Sequence, residues 1–317
     1  MNSQEFLQER IMPAVRACLE RYRVRLSDPV AVALSGGKDS TTLMVCLRAL
    51  GHRVVALVAD LGYSGFGATS VAEGARLLGF EARVISAGDP STLADLSHAD
   101  ALRLRKSLHE LATNDLEVPC GPCSTAKRIV LFREAARLGS RWLCYGHHRE
   151  DLLSTLLKDY FATRYHQAVT EYDRVRFTEF VRSEPIEFRV LEQLASSGRA
   201  STMSVKVGPI AGVWLMRPMA FLPEDDTEAF AGVAGFPVFG SGCSHAVFDN
   251  PDRCNATKRE IVHAELRRRL ASSPELGERL LAVAVRTLDA NGRPKANPRG
   301  KRAVLLPGFE PPEKAGR

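Results

Sequence analysis

One short stretch of the chain has residue types suited to holding a phosphate group. In "VAVALSGGKDSTTLMV", the run Ser35-Gly36-Gly37-Lys38-Asp39-Ser40 stands between two apolar segments, where a strand would end and a helix begin. Backbone N–H groups at such a turn bind anions, and glycines allow the close approach. Lys38 adds a cation, the Ser35 and Ser40 hydroxyls can donate hydrogen bonds, and the Asp39 carboxylate suits Mg²⁺. The stretch therefore predicts a phosphate site with a bound magnesium ion.

The spacing of this stretch excludes the two best-known phosphate loops. The standard ATPase loop has a glycine where this chain has Val32, and Ser or Thr where it has Asp39. The dinucleotide-binding fingerprint does not match either. An ordinary Gly-Gly turn is the structural alternative, and the position after the first strand of an α/β pattern disfavours it.

Cysteines form the second group of residues that could do chemistry. Cys120 and Cys123 form a C-x-x-C pair in "VPCGPCSTAKR", and Cys243, His245 and Cys254 follow much later. The pair could be half of a structural zinc site completed by two later residues, because such sites need four ligands. A redox pair is disfavoured, since the motif lies far into a larger sheet pattern. The third interpretation is a [4Fe–4S] cluster on three thiolates, which leaves one iron open to an exogenous sulfide.

The elements that must position these residues follow an alternating pattern of strands and helices. Strands are predicted at 29–34, 53–60, 81–88, 141–146 and 213–219, and helices at 39–50, 70–80, 126–139, 150–161, 224–235 and from 256 onward. This rhythm predicts an α/β fold with a doubly wound parallel sheet. Residues 1–26 have helical spacing, and residues 162–212 are polar and are predicted to be irregular.

Composition narrows the function classes only slightly. The chain has 317 residues, 45% of them hydrophobic, and a net charge of +6. Such a moderate positive charge is compatible with RNA or nucleotide binding but does not require it. No apolar run approaches the ~18 residues of a membrane helix, and the N-terminus lacks the apolar core of a signal peptide. The expectation is a cytoplasmic protein with no membrane contact, and Cys18, Cys46 and Cys144 are expected to be core residues.

The stretch "SGGKDS" resembles the PP-loop of the ATP pyrophosphatases. This resemblance implies a Rossmann-like domain that cleaves ATP to AMP and pyrophosphate while adenylating a carbonyl oxygen. With "PCGPC", "YGHHREDLLSTLL" and a cysteine in a late loop, the pattern from about residue 29 to 270 resembles the TtcA/TtuA family of tRNA thiolases, in its group without zinc fingers. The resemblance implies ATP, Mg²⁺ and a [4Fe–4S] cluster, tRNA as the substrate and a sulfurtransferase activity. It also implies sulfide or a sulfur carrier as the donor, and suggests a homodimer.

The resemblance assigns roles to individual residues of this chain. It implies Cys120, Cys123 and Cys243 as the cluster ligands, since Gly240 replaces the first cysteine of a second C-x-x-C found in some relatives, and Cys254 is the spare thiol. It implies Lys127 and Asp151 as catalytic residues together with Asp39. The remaining predicted nucleotide contacts are Ser35, Gly36, Gly37, Lys38, Ser40, Asp60, Gly146 and His147. For His147 and His148, metal binding is one alternative, and a packing or nucleotide-contact role is favoured over it. A strand-end cap is the alternative for Asp60.

The resulting organisation has five parts. These are an N-terminal helix (1–28), a PP-loop domain with the C-x-x-C pair (29–161), a divergent insert (162–212), the remainder of the catalytic domain (213–290) and a basic, flexible tail (291–317). The insert interleaves aromatic residues with arginines, which either stack on bases or form an amphipathic cover for the sheet.

Three other functions stay open on sequence alone. The same chemistry could act on a free nucleobase or another small metabolite, because the insert diverges from the family. A zinc-stabilised PP-loop ligase that transfers nitrogen is the second alternative, and a non-catalytic, nucleotide-binding redox sensor is the third.

Overall fold

The computed structural model describes residues 2–62, 67–94, 96–113, 120–168, 173–197, 205–210, 212–236 and 258–286. The chain divides into two compact units. The first comprises residues 1–147 and 207–255, and the second comprises residues 148–206 and 256–317. The part of the chain described here contains no helix long and apolar enough to cross a membrane.

The first unit is built on a six-stranded sheet. The strands are β1 (Val30–Ala33), β2 (Val54–Asp60), β3 (Glu81–Ser86), β4 (Trp142–Cys144), β5 (Lys206–Ile210) and β6 (Val213–Met216). Their order is β3-β2-β1-β4-β6-β5, and β1 pairs in parallel with both β2 and β4. The chain thus winds first to one side of β1 and then to the other, which confirms the predicted doubly wound fold.

Helices connect the strands and make up most of the described part of the second unit. They are α1 (Ser3–Phe6), a π-helical turn (Leu7–Ile11), α2 (Met12–Arg21), α3 (Lys38–Ala49), α4 (Ala68–Leu77), α5 (Pro90–Ala94), α6 (His98–Thr113), α7 (Cys120–Arg137), α8 (Arg149–Ala168), α9 (Arg174–Ser183), α10 (Phe188–Ser196), α11 (Glu224–Ala234), α12 (Lys258–Ser272) and α13 (Glu275–Arg286). Helices α5 and α6 and strand β5 were not predicted from the sequence.

The sheet core fixes the direction of α7. Its residues Val130, Leu131 and Ala135 are buried in the core cluster with residues of the strands. At its far end, the Ser140 hydroxyl donates to the Pro29 carbonyl at 2.7 Å, at the start of β1. Because α7 ends near the amino edge of the sheet and runs antiparallel to the strands, its first turn lies at the carboxyl edge, where α/β folds place ligands.

The described residues of the second unit are mostly helical. Helix α8 packs against α9, α10, α12 and α13. The prediction of irregular structure for 162–212 was wrong, because α8 continues to Ala168 and α9 and α10 follow it. Asp173 is the N-cap of helix α9, and its carboxylate accepts the Arg176 N–H at 2.7 Å. This N-cap and the buried spacing of Phe177 and Val181 explain why a strongly polar segment is helical.

Candidate functional site

The PP-loop stretch forms a tight turn between β1 and α3. Gly36 has a φ of +82°, a backbone conformation that favours glycine. The Ser35 N–H donates to the Ser40 hydroxyl at 3.2 Å, and the Ser40 hydroxyl also lies 3.1 Å from the Gly37 carbonyl. These bonds close the loop on itself at the N-terminus of α3. The first amides of a helix lack an intrahelical acceptor, so the loop presents an anion site.

Lys38 is held between two carboxylates at this loop. Its ammonium donates to Asp39 at 3.0 Å and to Glu224 at 2.9 Å. Burial lowers the pKa of Lys38, but the two carboxylates outweigh this effect and the net shift is upward. The lysine is therefore a permanent cation at neutral pH, and it carries the positive charge that a phosphate group requires.

Helix α11 supports the loop from a distant part of the sequence. Glu224 lies in its first turn and is 7% exposed. One turn later, the buried Thr227 hydroxyl donates to the Asp39 carboxylate at 2.6 Å. On the same helix, Asp226 accepts from Arg10 at 2.8 Å. The Thr227 contact fixes the Asp39 carboxylate beside Lys38.

Gly146 packs directly on the loop. A Cβ at this position would lie 2.7 Å from the Ser40 nitrogen and 2.8 Å from the Asp39 carbonyl carbon and oxygen. Any larger residue would have to displace the backbone of the loop. The glycine at position 146 thus has a structural reason, because only glycine lets the two backbones approach this closely, and its contact with a nucleotide remains a prediction.

His147 is fixed in one tautomer. Its Nδ1 accepts a hydrogen bond from Arg217 Nε at 2.9 Å, and its ring stacks on Tyr145 with centroids 5.6 Å apart. Because an arginine side chain only donates, Nδ1 is unprotonated and the ring proton lies on Nε2. Arg217 follows β6 at the carboxyl edge of the sheet, so it belongs to the same edge as the phosphate loop.

Asp60 ends β2 at this edge. Its carboxylate accepts the Gly62 N–H at 2.9 Å, which is the geometry of a strand-end cap. The structure therefore shows the capping role that was the alternative for this residue, and its contact with a nucleotide remains a prediction.

The C-x-x-C pair begins α7 at the carboxyl edge. Cys120, Cys123 and Lys127 are spaced at three and four residues, so they share one face of the helix. Cys123 is a free, partly buried thiol, and Lys127 is also partly buried. Pro122 fits in this first turn because the N–H that proline lacks would have no partner there.

The other cysteines fall into two classes. Cys18, Cys46 and Cys144 are buried free thiols, as expected. Cys243 and Cys254 lie outside the described residues. Within the described ranges, no group of three or more His, Cys, Asp or Glu side chains could hold a metal ion.

Asp151 belongs to the second unit, in the first turn of α8. Its carboxylate accepts the His148 N–H at 3.1 Å and is paired with the Arg259 guanidinium of α12. The buried His148 ring lies 3.3 Å from the Glu150 carboxylate. Asp151 is thus fixed by a helix-start hydrogen bond and an ion pair.

Comparison with known proteins places the chain in a family. No protein-family model matches it. A protein of Geobacter sulfurreducens named tRNA-cytidine(32) 2-sulfurtransferase is 34% identical over 234 residues, which cover 72% of each chain. The chain belongs to the tRNA-cytidine(32) 2-sulfurtransferase family. A member from Pelobacter propionicus is 27% identical over 253 residues, covering 78% of this chain and 75% of that one.

A solved structure agrees with the fold of this family. It is described as the U34-tRNA thiolase NcsA from Methanococcus maripaludis with its [4Fe-4S] cluster, and its TM-score is 0.58 at 17% identity. The match covers 89% of this chain and 78% of that chain. The likeness confirms the PP-loop fold, and membership of the family confirms the resemblance drawn from the motifs.

Three residues at or near the phosphate loop were not predicted from the sequence as site residues. Glu224 and Thr227 were taken only as part of a helix, and Arg217 only as part of a strand. Arg217 could have been found from its position at the end of a predicted strand, because ligand-binding side chains lie at the carboxyl ends of the strands in α/β folds. No local signal connects Glu224 with Lys38, since 186 residues separate them.

Proposed function

We propose that this chain is an ATP-dependent sulfurtransferase that replaces the 2-oxo oxygen of a tRNA pyrimidine with sulfur. The observation that carries the proposal is the shared location of two chemically different groups. The phosphate loop follows β1 and the C-x-x-C turn begins α7, so both lie at the carboxyl edge of one sheet. Relatives named tRNA-cytidine(32) 2-sulfurtransferases make cytidine 32 of a tRNA the first acceptor to test.

ATP would be held through its phosphates at Ser35 to Ser40. Lys38 supplies charge and Asp39 supplies an oxygen ligand for Mg²⁺. The close packing of Gly146 on the loop supports this assignment, since it keeps the loop backbone clear of side chains. Attack of the base carbonyl oxygen on the α-phosphorus breaks the bond to pyrophosphate. The oxygen that is to be removed can then leave with AMP.

The sulfur half of the reaction would use the thiolates of Cys120, Cys123 and Cys243. The first two fit such a role because they lie one turn apart on one helix face, and Cys123 is a free thiol. A cluster bound there supplies a sulfur atom as the nucleophile. When a hydrosulfide forms the new C–S bond, the C–O bond to AMP breaks and one proton is released, so the atoms balance.

Lys127 and Asp151 would assist these steps. Lys127 lies one turn beyond Cys123 on the same face of α7, where its ammonium can offset charge on the departing AMP. For Asp151 the support is its position in "GHHRED", matched to the family motif. The variants Lys127→Met and Asp151→Asn should retain tRNA binding and lose most of the thiolation rate.

The test is a direct search for the thiolated base. The protein is purified anaerobically, reconstituted with iron and sulfide, and incubated with a tRNA transcript, ATP, Mg²⁺ and sulfide. Nucleoside mass spectrometry should detect 2-thiocytidine and stoichiometric AMP, with no 2-thiocytidine when cytidine 32 is replaced by guanosine. Thiolation of free cytosine or cytidine but not of the transcript would contradict the proposal. Zinc without iron after anaerobic purification would contradict it as well.

A further inference from the structure

An open groove with a volume of about 830 Å³ lies between α6 and α7 in the first unit. Four arginines line it, namely Arg103 of α6 and Arg128, Arg133 and Arg137 of α7, and the one carboxylate in the lining is that of Asp100. The groove therefore has a clear excess of positive charge. None of these residues has a role in the site described above.

The arginines at the rim are only weakly neutralised. Arg103 lies 4.0 Å from Asp100 and Arg137 lies 3.4 Å from Glu134, and their side chains are 71% and 58% exposed. The exposed pair of Arg103 with Asp100 contributes little. Glu134 is buried, but it also pairs with Arg83 at 3.2 Å. Arg128 is exposed, and no ion pair to it occurs within the described residues. An anionic ligand could thus recruit Arg103 and Arg128 without breaking a buried interaction, and Arg137 while Glu134 keeps its ion pair with Arg83.

The base of the groove is fixed. Arg133 is 8% exposed, and its Nη2 donates to the Ser91 carbonyl at 3.0 Å. Its guanidinium therefore contributes a positive charge beneath the rim whose position does not depend on a ligand. The hydroxyl-bearing side chains of Ser97 and Thr125 also line the groove. Arginines and hydroxyls together are the side chains that usually contact nucleic-acid phosphates.

The placement of the charges suits an extended anion that carries several phosphates. Arg128, Arg133 and Arg137 are spread over ten residues of α7, about 13 Å along the helix. Arg128 and Arg137 lie on opposite sides of the helix, so their long side chains reach the groove from its two edges. The Thr125 end of the groove is two residues from Cys123, so that end leads to the turn that carries the C-x-x-C pair.

We propose that this groove binds a single-stranded segment of the tRNA substrate through its phosphates. This proposal rests on the proposed function. The groove is a different surface from the insert (162–212) and the basic tail (291–317). The insert is a weaker choice for base stacking, because Tyr165 and Phe177 are buried and pack edge-to-face with centroids 5.3 Å apart.

The experiment measures tRNA affinity at several salt concentrations. The full-length reconstituted protein is compared with the triple variant R103Q/R128Q/R137Q and with the control R25Q/R53Q/R141Q. The control removes the same charge from exposed arginines near the amino edge of the sheet, just before β1, β2 and β4. We expect the groove variant to bind about tenfold or more weakly and its slope of log affinity against log salt to fall by about two. The control should match the wild type.

A charge-preserving variant and thermal unfolding separate binding from folding. R103K/R128K/R137K should recover most of the affinity. All variants should unfold at the wild-type temperature, because the altered side chains are exposed and Glu134 keeps its ion pair with Arg83. Equal affinities and salt slopes for the groove variant and the wild type would overturn the proposal that the groove binds tRNA. They would leave the proposed function intact. Tight tRNA binding by the groove variant, together with loss of sulfur transfer from an acidic protein donor, would also contradict tRNA binding at the groove. A wild type that shows no salt-dependent tRNA binding would instead refute the proposed function.

Discussion

The ammonium of Lys38 lies 2.9 Å from the carboxylate of Glu224, although the two residues are 186 positions apart. Glu224 is almost fully buried, and the Lys38 side chain is 22% exposed. This ion pair ties the first turn of α11 to the phosphate loop. It lets the fold set the direction of the lysine in the absence of nucleotide, so that less conformational entropy is lost when a phosphate binds.

Replacing Glu224 should therefore loosen the loop. In Glu224→Gln the lysine keeps Asp39 but loses its second carboxylate, and we expect the free energy of unfolding to fall by about 1–3 kcal/mol. The rate of ATP-dependent pyrophosphate release should fall by about tenfold, which corresponds to ~1.4 kcal/mol. Urea denaturation and a pyrophosphate assay measure the two effects. Asp225→Asn, an exposed residue of the same turn, is the control, and an equal loss in that variant would contradict the role of Glu224.

Gly146 should not accept even a methyl group. In Gly146→Ala the new Cβ would meet loop backbone at 2.7–2.8 Å, so the loop must move and ATP affinity should fall by about tenfold or more. Titration calorimetry with a non-hydrolysable ATP analogue measures this. Gly232→Ala is the control, because that glycine lies in α11 with nothing within 4 Å of the added Cβ. It should bind ATP normally and gain up to ~1 kcal/mol in stability. Normal ATP binding by Gly146→Ala would refute the close-packing argument.

The outcome for the sheet shows what sequence patterns can specify. The strands at 30–33 and 54–60 were predictable because buried parallel strands are short, continuous apolar runs between turn signals. The loop at Ser35 was predictable because its glycines and its lysine are local features. The helices of residues 174–196 were missed because most of their residues are polar and only a narrow stripe is buried. Their helical state also depends on packing within the second unit.

Contacts between segments far apart in the chain could not be predicted from the sequence either. The pairing of Lys38 with Glu224 and of His147 with Arg217 depends on how the strands are ordered, and no local spacing encodes that order. The arginine groove has the same origin, because α6 itself was not predicted. Its arginines come together in one groove only because α6 packs against α7.

Iron content should depend on three cysteines. Anaerobically purified wild type should contain about four irons per chain, as the proposed cluster requires. Cys120→Ala, Cys123→Ala and Cys243→Ala should each lose the cluster, and Cys254→Ala should keep it. Iron and sulfide counting with the visible absorption spectrum provides the measurement. An intact cluster in Cys243→Ala together with its loss in Cys254→Ala would reassign the third ligand.

The core cysteines should differ from Cys123 in their reactivity. Burial raises the pKa of Cys18 and of Cys46 to about 12, and it raises the pKa of Cys144 further. Since the thiolate is the nucleophile, only about one molecule in ten thousand is reactive at pH 8 when the pKa is 12. Cys123 is partly exposed at the start of α7. Iodoacetamide at pH 8 should therefore label Cys123 in the cluster-free protein and leave the three core thiols unlabelled.

The same upward shifts set a pH dependence. A thiol whose pKa is higher in the folded state stabilises the fold below its unfolded value of 9.0, and this contribution is lost as the pH rises toward the folded value. The free energy of unfolding should thus decline above about pH 9, and labelling of Cys18 and Cys46 should rise with it. Urea denaturation across pH 7–10 follows the free energy of unfolding, and peptide mass spectrometry over the same range follows the labelling. The labelling is repeated after reconstitution with iron and sulfide. Reconstitution should protect Cys123 together with the other two proposed ligands, Cys120 and Cys243. Labelling of Cys46 as fast as Cys123 at pH 8 would show that its thiol is not held in the core.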